Sequence, residues 1–212
     1  MKRSLFIMLS GTATGIGRTI RRFSGCNYNH VSLSLDPTFR SWVSFARYVR
    51  DVPLAGGFVR ESAERFFAME GPIPVKIHRI YVDEARWQQL DALFSTAGNT
   101  RLIYNSFQIL ATVFGRHWTV TGAYTCLDFA SAVLGRDYGS LSALETDLEC
   151  GLIYEGDYKE LLTDDGSRTD AYFTQRGFRQ GTADTARHFG RLVYRSLHPG
   201  RYKDPLLQLN PQ

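Results

Sequence analysis

Hydrophobic and polar residues alternate with two periods along this chain. A period of two dominates the first half, and a helical period of about 3.6 dominates the second. Residues 4 to 10, "SLFIMLS", form a short apolar run that predicts a buried strand, and 14 to 23 predict an amphipathic helix with Ile16, Ile20 and Phe23 on one side. In "NHVSLSLD", Val31, Leu33 and Leu35 alternate with Ser32 and Ser34, the mark of a half-buried strand. "DPT" turns the chain and "RSWVSFARYV" returns it as a second strand of a hairpin-like pair. The stretch "FVRESAERFFAM" reads as helical in its second half, and "PVKIHRIYV" as a strand.

Helical signals follow. "DEARWQQLDALFSTAG" places acids at its start, Trp87, Leu90 and Phe94 on one face and Gly98 as a stop. Residues 101 to 115 read as an apolar helix. "GAYTCLDFASAVLGRD" is the clearest helix: Thr125 and Asp128 have capping-box spacing, and Gly135 closes it. A polar loop, "LTDDGSRTD", precedes a last amphipathic helix, "DTARHFGRLVYRSL". Strands cluster early and helices late, without regular alternation, so the expected fold class is α+β with an antiparallel sheet packed against helices. Residues 1–162 are expected to form the domain, with 163–212 an extension packing on it.

Composition narrows the function classes. The chain has 212 residues, 43% hydrophobic, enough for one core. Its net charge is +4, with basic residues dispersed among acids apart from Arg18, Arg21 and Arg22. Nucleic acid is therefore not an expected partner, and a membrane surface is a less favoured one. Three cysteines, Cys26, Cys126 and Cys150, lack the spacing of a zinc site or a disulfide framework, so no metal is expected. "MKRSLFIML" resembles the start of a signal peptide and "FSGC" a lipoprotein box. The arginines at 18, 21 and 22 interrupt the apolar region such a leader needs, and a cytoplasmic location is the expectation.

Gly11, Gly15 and Gly17 follow the first strand with short-chain dehydrogenase spacing, and Asp36 ends the next run where a ribose-binding acid would sit. That chemistry also needs Tyr-x-x-x-Lys. None of the 11 tyrosines has a lysine four residues on. The motif reads as a look-alike, no cofactor is expected, and a nicotinamide oxidoreductase remains the remote alternative.

Cys126 stands in the first turn of the clearest helix, facing free backbone N–H groups and the positive end of the dipole, which favour a thiolate and could hold an oxyanion. Asp128 nearby opposes that charge unless it is turned to the cap. His30, opening the "HVSLSLD" strand, is the best placed of five histidines to act as base.

"NYNHVSLSLD", "SWVSFARY", "GGFVRES" and "AYTCLDFASAVL", in that order, resemble the circularly permuted NlpC-type papain-like cysteine peptidase and amidase family, the YiiX-like group, in its uncharacterised bacterial members. The likeness runs from about residue 4 to 160. It implies a papain-like fold with the strand histidine first and the cysteine at a helix N-terminus later. Cys126 then matches the nucleophile and His30 the base. The orienting residue of the family stands on the strand after the histidine, where this chain offers Ser44, which cannot stabilise imidazolium by charge. Glu61 is the substitute, expected to reach in from the loop after the strand pair. Tyr124 and Arg47 are candidates to bind substrate. The implied activity is a thiol hydrolase cleaving an amide or peptide bond in a small peptide or amino-acid conjugate, such as a cell-wall peptide. Two alternatives stand beside it: a non-catalytic ligand-binding module of the same fold, and a lipid acyltransferase or thioesterase, as in the lecithin:retinol acyltransferase relatives. Oligomeric state is left open.

Overall fold

The computed structural model describes residues 1–12, 26–52, 54–98, 102–108, 118–163, 170–202 and 206. Its fold is α+β, built on one open sheet of eight strands. In chain order these are β1 (Lys2–Ser10), β2 (His30–Ser34), β3 (Ser41–Arg47), β4 (Gly56–Ser62), β5 (Pro74–Asp83), β6 (Ile103–Tyr104), β7 (Ala123–Tyr124) and β8 (Leu152–Asp157). They lie in the order β7-β6-β4-β3-β2-β1-β5-β8. Every neighbouring pair is antiparallel except β6 and β7.

The apolar run of β1 follows from its central position. Leu5, Ile7 and Leu9 enter one core cluster and Phe6 and Met8 the other, so both faces of the strand are covered. The first cluster gathers α2 (Glu84–Ser95), α3 (Cys126–Leu134) and α4 (Leu141–Leu148) against the sheet; the second gathers α1 (Ala63–Phe67) and α5 (Tyr158–Leu161). Phe129 of α3 packs its ring 5.0 Å from Phe58, 5.4 Å from Phe45 and 6.2 Å from Phe94. Burying a side chain of that size is worth about 1.5–3 kcal/mol, and this contact seats the first turn of α3, with Cys126, at the end of the sheet where β2 begins.

Several expectations change. β2 is not half-buried: Ser32 and Ser34 are as enclosed as Val31 and Leu33, because Ser32 donates to Glu61 and Ser34 to the Ser41 carbonyl. "GGFVRES" is strand β4 rather than a loop or helix, and α1 begins only at Ala63, capped by Ser62. Ile103–Tyr104 is a strand, although residues 106–108 are helical as expected. The last helix, α6 (Phe178–Leu197), is longer than its pattern suggested. The expected helix at 14 to 23, with Gly15, Gly17 and the three arginines, lies outside the described residues. The dinucleotide reading fails on topology: β1 and β2 pair antiparallel, whereas that unit requires parallel strands joined by a crossover helix. Asp36 instead accepts hydrogen bonds from Thr38 and the Arg40 amide within its own turn. Among the described residues, no helix is long and apolar enough to cross a membrane.

Candidate active site

Three residues separated widely in the chain converge at the sheet end where α3 begins. Thr125 is the N-cap of α3: its hydroxyl accepts from the Asp128 amide at 3.2 Å, and the Asp128 carboxylate accepts from the Thr125 amide at 2.8 Å. The capping box turns Asp128 away from the thiol and leaves the first amides of the helix, at Cys126 and Leu127, without intrahelical acceptors. Gly135, at φ 69°, ends the helix in the left-handed region that a side chain would disfavour.

His30 opens β2. Its Nε2 donates to both oxygens of Glu61, at 3.0 and 3.2 Å. The Cys126 thiol also acts on the ring, raising its pKa. With Nε2 taken by the carboxylate, Nδ1 is the nitrogen left for sulfur. Burial of the ring disfavours imidazolium, but the charge of Glu61, then the charge and hydrogen bond of Cys126, outweigh it and push the pKa up to about 10. Near neutral pH His30 is therefore a cation held between a carboxylate and a sulfur.

Glu61 is 2% exposed, and it stands on β4 rather than on the expected loop. Burial would raise its pKa, but His30 and Arg65 hold it well below the ordinary carboxylate range. The Ser32 hydroxyl donates to it at 2.6 Å, and Arg65 lies 3.5 Å away. Because β3 lies between β4 and β2, the Glu61 side chain crosses that strand to reach His30. Ser44 sits on the crossed strand, and its buried hydroxyl has no hydrogen-bond partner. Ser44 thus makes no hydrogen bond to the imidazole, whose partner is the carboxylate of Glu61.

The other candidates divide. Tyr124, on β7, packs its ring 5.3 Å from Phe45. With Asp128, Asn105, Gln108 and Trp118 it lines a cleft of about 430 Å³ beside the start of α3, a size that suits a small ligand. Arg47 is committed within the protein, donating to the Tyr172 hydroxyl at 2.6 Å and to the Arg50 carbonyl at 3.1 Å.

Four participants were not singled out from sequence. Ser32 and Arg65 hold Glu61 as described. Tyr172, from the C-terminal extension, lies under the Arg65 guanidinium, 3.9 Å from ring centroid to Cζ, so the extension braces the carboxylate from behind. Tyr104 stands opposite Tyr124 in the β6–β7 pair. Burial and then the Cys126 charge push its phenol upward, so it stays a protonated donor near the thiol. The spacing of Arg65, four after Glu61, was the one available signal.

No family model, curated protein or solved structure matches this chain. The chemistry therefore rests on the site itself. No cluster of three or more His, Cys, Asp or Glu side chains fit to hold a metal ion occurs among the described residues. What the arrangement offers is a sulfur, a cation able to give up a proton, a buried carboxylate behind it and helix-start amides beside it.

Proposed function

We propose that this protein is a thiol hydrolase of the circularly permuted, NlpC-type papain-like kind, acting on an amide bond in a small peptide or amino-acid conjugate. The observation that carries the reading is the line Cys126, His30, Glu61, with Glu61 itself buried and braced. In this mechanism the Cys126 sulfur attacks the substrate carbonyl and forms a C–S bond. The carbonyl oxygen takes up the electron pair and is held by the amides of Cys126 and Leu127, with Tyr104 as a further donor. Imidazolium at His30 gives its proton to the leaving amine as the C–N bond breaks, leaving a thioester. Water then attacks that thioester, His30 takes the proton from water, and the acid product and the thiolate–imidazolium pair are released. Glu61 keeps the ring oriented and its charge supported throughout.

The test is the rate of Cys126 alkylation by iodoacetamide at pH 6, with Cys26 and Cys150 replaced by Ser. Reaction follows the thiolate fraction, and a free thiol of pKa about 8.5 is almost wholly protonated there. The expected result is a rate reduced by roughly tenfold or more in His30→Ala, since the imidazolium that supports the thiolate is removed. Equal rates in the two proteins would overturn the reading. A peptide-amide panel followed by mass spectrometry for the thioester on Cys126 then defines the substrate.

A further inference from the structure

We infer that a cleft along α6, remote in chain position from the thiol, is an anion site that takes a phosphate group. The cleft, of about 570 Å³, is lined by Arg187, Arg191, Arg195, Arg201 and His198, with Tyr194 between them. Among the described residues, no acidic side chain lines it. Several arginines elsewhere face a carboxylate: Arg3 lies by Glu84, Arg40 by Glu64, Arg65 by Glu61 and Arg136 by Asp147. Here Asp184 lies 3.1 Å from Arg187, while the side chains of Arg191 and Arg201 have no ion-pair or hydrogen-bond partner among the described residues.

Part of the site is held in place before any ligand arrives. Arg195 donates to the Gly122 carbonyl at 2.6 Å and lies over the Tyr202 ring at 4.1 Å, while His198 stacks on Tyr194 at 4.6 Å. Fixed side chains lose little freedom on binding, and guanidinium groups match phosphate oxygens in pairs. Several cations meeting in one concave site, with Asp184 the one carboxylate beside them among the described residues, suit a dianion better than the single charge of a carboxylate. The phosphate is either free or part of a lipid headgroup. Exposed Val193 and Leu197, the latter 70% exposed, lie on the same helix and make the second source worth its own arm of the test.

The experiment measures calorimetric binding of inorganic phosphate and pyrophosphate at low salt, together with flotation on phosphatidylcholine vesicles with and without phosphatidic acid. Wild type is compared with the Arg191→Ala, Arg201→Ala double variant and with Arg179→Ala, an exposed arginine outside the cleft. Cys126 alkylation reports that each variant remains folded. The expected result is binding that weakens as salt is raised, at least about tenfold weaker in the double variant and unchanged in Arg179→Ala. Binding of phosphatidic acid vesicles without binding of free phosphate supports the site and assigns the source to lipid. No binding in either arm, or equal binding by wild type and double variant, overturns it.

Discussion

Replacing Glu61 by Gln removes one charge and keeps the shape of the side chain. In the native protein that carboxylate accepts from His30, from Ser32 at 2.6 Å and faces Arg65 at 3.5 Å, with Arg65 itself 5% exposed. Taking one partner from a buried ion pair costs about 3–5 kcal/mol, because the remaining charge is left uncompensated. His30 escapes that cost by losing its proton, whereas Arg65 cannot, so a loss near the lower end, about 3 kcal/mol, is expected at pH 7. For a chain of this length that lowers Tm by roughly 6–12 °C. The pH dependence carries the sharper signature. A histidine raised from 6.5 to about 10 contributes stability that is fully present below pH 6.5 and fades as pH rises through 10. A carboxylate held low contributes above its ordinary value of 4.5 and fades as pH falls through its lowered one. The gap between native and Glu61→Gln proteins should therefore be widest between about pH 5 and 6.5 and narrow toward pH 10. Urea denaturation at pH 6, 8 and 10 measures it, and the His30 ring-proton titration by NMR reports the midpoint directly. A difference under about 1 kcal/mol at pH 6 and the same at pH 10 would place the pair among exposed ion pairs and refute the argument.

Two further substitutions probe the surroundings. Ser44→Ala removes a buried hydroxyl without a partner and should leave urea stability unchanged or slightly raised, by up to about 1 kcal/mol. Ser44→Leu forces a larger side chain into a fully buried position on the strand between Glu61 and His30, and should cost about 1–3 kcal/mol and slow Cys126 alkylation at pH 6. Gly122 has a φ of 69°, and a Cβ there would fall 2.1 Å from Tyr202 and 2.9 Å from Arg195. Gly122→Ala should therefore destabilise by about 1–3 kcal/mol, read as a lower thermal midpoint, and displace Tyr202 from β7.

Local chemistry was legible where it was local. Thr125, Asp128 and Gly135 delimit α3 from sequence alone, since cap and stop act within one turn. The α+β class was visible in the two periods of the pattern. Burial of Ser32 and Ser34 was not, because the alternation in β2 records residue types and not what covers each face; buried serines look identical to exposed ones until Glu61 and the Ser41 carbonyl are opposite them. The extent of β4 was hidden for a related reason: "ESAER" has helical spacing, yet Glu61 and Ser62 belong to a strand and Arg65 to the helix after it. Strand position alone suggested an orienting role for Ser44, yet its hydroxyl has no partner and the carboxylate that reaches His30 comes from the next strand, β4. Tyr172 lies far along the chain from Arg65, and no periodic signal links residues so separated.

The order in which the pieces of the site occur has a consequence for biosynthesis. His30 and Glu61 lie on strands of one antiparallel sheet, and both leave the ribosome well before Cys126 on its own helix. At about 5–20 residues per second, the roughly 65 residues between Glu61 and Cys126 correspond to an interval of about 3–13 s. During that interval the nascent chain holds His30, Glu61 and the thiol of Cys26, but not Cys126. A chain arranged the other way round would expose its sulfur first, before any partner existed to restrain its reactions.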